Sequence, residues 1–205
     1  MDVQILLSFV ASVAILAISP GPDNIFVLMQ SVVYGKKYGL ATVAGLMTGC
    51  IIHTTLVAFG VSVINKENEH IFLGIKIAGA IYLLYLAYKV FKSSSNIAVN
   101  SDNIQKKTPF QLFKIGFTMN VLNPKVTIFF LALFPGFLFS ETLSSVIQFY
   151  VLGGLFILTS FTVFSTIAIL GGTISEKIQQ NSQIGIWLKW LQIVVFIGIA
   201  ALILV

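Results

Sequence analysis

The stretch Ser19-Pro20-Gly21-Pro22-Asp23-Asn24 lies inside an apolar run that extends from Gln4 to Val33. A second stretch, Asn123-Pro124-Lys125, lies inside another run, from Phe110 to Phe139. Each run has room for about 45 Å of helix at ~1.5 Å per residue, more than the ~30 Å thickness of bilayer hydrocarbon. Proline removes a backbone donor and breaks the helix it sits in. In hydrocarbon, backbone that cannot bond to itself is costly unless it lines a cavity or packs against protein. Two such breaks, in matching places of two halves, predict a solute site near the bilayer midplane.

Composition agrees with a membrane setting. Of 205 residues, 57% are hydrophobic and 9% charged, where a soluble domain carries roughly 25% charged residues. That excludes a soluble domain on a single anchor. Four further segments are long and apolar enough to span: Gly39–Ile64, Ile71–Phe91, Leu143–Leu170 and Ile184–Val205. The expected fold is therefore an all-α integral membrane protein with six transmembrane helices, the first and fourth broken at the proline motifs. The amino-terminal run has no basic n-region, and Pro20 follows its only small-residue cleavage pattern, so it is expected to stay in the mature chain.

All twelve basic residues are lysines, and the net charge is +5. They cluster in a few connections rather than along a stripe, which argues against nucleic acid as a partner. Lys36, Lys37, Lys89, Lys92, Lys106, Lys107, Lys114 and Lys177 fall on or beside the first, third and fifth connections, whereas Lys66 and Lys76 fall toward the other side. The positive-inside rule puts the lysine-rich side in the cytoplasm and both termini outside. Residues 1–91 form a first three-helix repeat, 92–109 a cytoplasmic linker and 110–205 a second repeat, together one transmembrane domain. Three spans per half make the second half enter the membrane inverted. The runs Ile25-Phe26-Val27-Leu28 and Ile128-Phe129-Phe130-Leu131 follow the two breaks at near-equal offsets.

Asp23 is the only acid inside a span, and an intramembrane carboxylate is a functional candidate by default. Three roles are open to it: capping the half-helix that restarts after Pro22, holding a substrate ammonium, and carrying a proton. Asn24 adds donors and an acceptor at the same break. Ser19 and Asn123 precede the prolines, and Asn123 is placed either to cap the second restart or to touch the ligand. Lys125 is the only cation deep in a span, able to pair with Asp23, to bind a carboxylate or to snorkel. His53 is either a proton relay or a hydrogen-bonded packing residue. Gly45 and Gly49 suit close helix contact. Tyr82, Tyr85 and Tyr88 read as an interfacial belt with core packing. Cys50 is the single cysteine, so neither an intrachain disulfide nor a cysteine metal cluster is available. No HExxH, Walker A or paired intramembrane aspartates occur, so no enzyme, metal or cofactor is expected.

Ser19-Pro20-Gly21-Pro22-Asp23-Asn24 with Gly35-Lys36-Lys37-Tyr38-Gly39-Leu40 resembles the opening signature of the LysE/RhtB amino-acid exporters. Gly79 to Lys89 is similar to the third-span motif of that family, and Phe113 to Gly116 with Asn120-Val121-Leu122-Asn123-Pro124-Lys125 to its fourth-span motif. The resemblance covers essentially the full chain. It implies a multi-pass protein of the bacterial inner membrane that exports amino acids or close derivatives, driven by the proton gradient. It carries over Pro20, Gly21, Pro22, Asp23, Asn24, Asn123, Pro124 and Lys125 as signature positions. The expected partners are a small amino-acid solute and lipid, and a homo-oligomer is compatible with the sequence. The alternatives are efflux of another small solute or cation, and a non-transporting scaffold or assembly protein.

Overall fold

The structure is a computed structural model that describes residues 2–67, 69–93, 107–174 and 182–204. Among these residues the chain is helical throughout, without strands. Helices α1 (Val3–Ile18) and α2 (Pro22–Tyr34) form one bent pair. The long helices α3 (Lys36–Glu67) and α4 (Glu69–Lys92) follow. A second bent pair begins with α5 (Pro109–Val121) and α6 (Pro124–Ile128), and runs on through a π-helical turn (Phe129–Leu133) and a 3-10 turn (Phe134–Phe137). Two more long helices close the chain, α7 (Ser145–Ile169) and α8 (Ser182–Leu204). Among the described residues four helices are long and apolar enough to cross a bilayer alone. The two pairs bend by 60° and 48°, and each pair taken as one span brings the number to six. The expected six-span architecture, broken at both proline motifs, is thus observed.

Local chemistry accounts for the ends of these helices. Asp2 accepts from Gln4 N–H at 2.9 Å and starts α1. Thr108 and Gln111 make a reciprocal capping box at α5, with Pro109 in the first turn where its missing N–H is harmless. The first connection, expected over Tyr34–Tyr38, shrinks to Gly35, whose φ of +95° lies in the left-handed region that favours glycine. The second, expected over Asn65–His70, is also shorter, since α3 runs to Glu67 and α4 starts at Glu69. Most of the expected linker 92–109, and residues 175–181 of the fifth connection, lie outside the described residues.

Helix α3 is the centre of the bundle and packs most extensively on α5 and α7. Its contact with α5 depends on glycine. A Cβ on Gly45 would fall on the Phe113 carbonyl, and one on Gly116 would fall on the Thr42 carbonyl, so the two backbones touch where a side chain would hold them apart. Helices α4 and α8 pack chiefly on each other. The outer faces are apolar, with Ile81, Leu158 and Val194 each more than 60% exposed, as lipid contact requires.

The two bent pairs run in opposite directions. The start of α1 meets the end of the second pair through Asp2 N–H, which donates to the Phe139 carbonyl at 2.9 Å. Gln148, fully buried on α7, secures the same end. It accepts from Phe139 N–H and Ser140 N–H and donates to the carbonyls of Ser140 and Leu143.

Candidate functional site

Pro20 deprives the carbonyl four residues earlier, that of Leu16, of its helical donor. Pro124 does the same to Asn120. Each orphaned carbonyl finds a donor on a distant element. Lys125 Nζ donates to the Leu16 carbonyl at 3.3 Å and to the Ser19 carbonyl at 3.4 Å. His53 Nε2 donates to the Asn120 carbonyl at 3.1 Å, which also accepts from Asn123 N–H. Asn24 Nδ2 donates to the Ala17 carbonyl at 2.7 Å. The opened backbone at the first break is therefore served by side chains.

The breaks meet each other. Asn123 Nδ2 donates to Asp23 Oδ2 at 2.6 Å, while Asn123 Oδ1 accepts from Lys125 N–H at 3.0 Å and caps α6. Of the two roles expected of Asn123, the cap is the one observed, and the same side chain also bonds to Asp23. Asp23 is buried in the first turn of α2, whose capping position belongs to Gly21, and its partner is Asn123. The ammonium of Lys125 does not snorkel and stays within electrostatic reach of Asp23. It turns inward onto the carbonyl end of α1, where the helix dipole is negative, and lies 5.3 Å from the centre of the Phe196 ring.

These groups enclose a chamber of about 40 Å³. Asp23, Asn24, Asn120, Asn123, Lys125 and Ser160 give it polar walls, and Leu46, Met47, Phe156 and Phe164 give it apolar ones. A cavity needs roughly 10–15 Å³ on this measure to hold one water, so the chamber has room for a few waters. Asn120 is 4% exposed, and its Oδ1 has no hydrogen-bond partner, nor has the Ser19 hydroxyl. Asn120 belongs to the fourth-span motif but not to the expected site residues, and its position four residues before Pro124 is the available signal.

Packed phenylalanines lie along the second pair beyond the break, toward the end where α1 starts. Phe130 and Phe134 stack at 4.1 Å, and Phe156, a chamber wall, lies 4.8 Å from Phe130. Phe9 joins edge-on to Phe134 at 5.1 Å. On the other side, Gly21, Pro22, Asn123 and Lys125 separate the chamber from a cavity of about 330 Å³ between the breaks and the α4–α8 pair. His53 is not on the chamber wall. It is buried between α3 and α5, with its ring 5.5 Å from that of Phe130. Cys50 lines the chamber as a small buried group and accepts from Asn120 Nδ2 at 3.4 Å. Tyr85 and Tyr88 face outward, whereas Tyr82 borders the larger cavity.

A family model described as LysE type translocator matches residues 14–205. An uncharacterised membrane protein of Bacillus subtilis, YrhP, is 31% identical over 141 residues, covering 65% of this chain and 67% of its own. A homoserine/homoserine lactone efflux protein of Salmonella typhimurium is 29% identical over 176 residues, covering 86% of this chain and 84% of its own. A protein of the same description from Salmonella typhi matches over the same length at the same identity. No solved structure matches the chain.

Proposed function

This chain belongs to the LysE type translocator family, and on that premise we propose that it is a secondary transporter exporting small amino acids or close derivatives across the bacterial inner membrane. Homoserine is the first substrate to test, given what the Salmonella relatives are named for. The observation that carries the reading is the meeting of two proline breaks around a buried carboxylate, with Asn123 and Asp23 in contact although 100 residues apart in sequence. Broken helices facing each other across a repeat interface are a recurring solution for solute sites in secondary transporters.

Each end of an amino acid has a partner in the chamber. The substrate carboxylate is received by backbone N–H groups at the start of α2 and by Lys125. The substrate ammonium is held by Asp23, with the unpartnered Asn120 Oδ1 as second acceptor. Asp23 exchanges this ammonium for the coupling proton, and the exchange drives export. A chamber of about 40 Å³ must widen to take even a small amino acid. The two three-helix repeats rock against each other to open it, the phenylalanine cluster sealing one face while the other is open. With lysine-rich connections in the cytoplasm, both termini lie outside. Family membership favours transport over the scaffold reading.

Radiolabelled amino acids, homoserine among them, exported from cells with and without the protein test this reading. Asp23→Asn is expected to reduce flux to the level of cells lacking the protein while its amount in the membrane persists. Full flux in that variant would remove Asp23 from the mechanism.

A further inference from the structure

The chamber is too small for an amino acid as it stands, but the cavity beside it is not. Its volume of about 330 Å³ falls in the range of roughly 300–1,000 Å³ typical of small-molecule sites. Its floor is the partition that it shares with the chamber, Gly21, Pro22, Asn123 and Lys125. Tyr82 and Lys89 enter its wall from α4 and Gln192 from α8. Lys89 is exposed and Ser93, also on the wall, lies at the lysine-rich end, so the cavity opens toward that end. Among the described residues its charged lining residues are Lys89 and Lys125, and no carboxylate lines it.

We propose that this cavity is a separate antechamber site that binds the carboxylate of a small neutral amino acid before it crosses the partition, with Lys89 as the charged contact and Gln192 as a polar one. The inference rests on the transport reading for the identity of the solute. The charge arrangement supplies the order of events. A solute arriving from the lysine-rich side meets cations first and a carboxylate, Asp23, only beyond the partition. An amino acid is therefore oriented carboxylate-first, and Lys125, on the floor of one cavity and the wall of the other, is the group to which that carboxylate is passed. A free cation or a second positive charge on the side chain is repelled at the first site, which favours neutral over dibasic solutes.

L-homoserine and its lactone form a matched pair of probes, since the lactone closes the carboxylate into an ester. In proteoliposomes with homoserine offered from the Lys89 side, Lys89→Gln is expected to raise the half-saturating concentration about five- to tenfold, as loss of one charge-assisted contact implies. The maximal rate is expected to stay within about twofold, because the contact is made before the step that limits turnover. Lys89→Arg restores affinity, and inhibition by the lactone is unchanged in both variants. A second measurement does not depend on flux or on altering Lys89. In a Cys50→Ala background, Gln192→Cys is expected to react with a maleimide more slowly in the presence of homoserine than of the lactone. Equal protection by the two probes, or none, overturns the antechamber site. So does an unchanged half-saturating concentration in Lys89→Gln. Protection without flux keeps the site and overturns the transport reading instead.

Discussion

Leu16 and Asn120 share a predicament, each having a proline four residues ahead of a carbonyl that a bilayer will not hydrate. The remedies differ. A flexible lysine serves the first, and a ring locked between helices serves the second. His53 is thereby a positioning residue for the α5–α6 break. His53→Leu removes the donor that α3 supplies to the Asn120 carbonyl, leaving only the N–H groups of Leu122 and Asn123 from its own turn, and is expected to lower stability by about 1–3 kcal/mol in detergent unfolding. His53→Gln, which retains a donor, is expected to keep most of that stability and to leave the pH profile of transport where it was. A displaced profile would restore His53 to the proton path. Asp23, Asn24, Asn123 and Lys125, which line one chamber, were legible as candidates because each is polar in an apolar run. The direction in which Lys125 points was not legible, since it depends on carbonyls that the first break releases 109 residues away.

The helices were legible as lengths of apolar sequence, and the breaks as proline. The π and 3-10 turns after Ile128 were not, because ring packing among Phe129, Phe130, Phe134 and Phe156 shapes them more than local propensity does. Glycine spacing announced a close helix contact at Gly45 and Gly49, but not that α5 supplies the partner surface. Gly116→Ala drives a methyl into the Thr42 carbonyl of α3 and is expected to cost about 1–3 kcal/mol of stability. Gly154→Ala on α7, where the added carbon meets nothing within 4 Å, is expected to leave stability unchanged or raise it by up to about 1 kcal/mol, as alanine favours the helix. Thermal unfolding of the two purified variants decides the comparison, and equal shifts would mean that the α3–α5 backbones are not in contact.

Across the molecule, Lys36, Lys37, Lys89, Lys92, Lys107, Lys114 and Lys189 gather at one end, while Asp2 and Glu141 mark the other. A phosphatase fused after Val205 is expected to be active and a fluorescent protein fused there dark, as an external carboxyl terminus requires. The opposite pair of results would turn the whole molecule over. The antiparallel course of the two bent pairs also sets a schedule for biogenesis. Asp23 and the freed carbonyls of Leu16 and Ser19 leave the ribosome about a hundred residues ahead of Asn123 and Lys125, the groups that hydrogen-bond to them. The nascent first half must wait, polar groups bare, in the insertion machinery or in a wet cleft until the second half arrives. Translation stalled within the linker would leave a fragment able to enter the bilayer but unable to settle there, and so marked out for the quality-control proteases of the membrane.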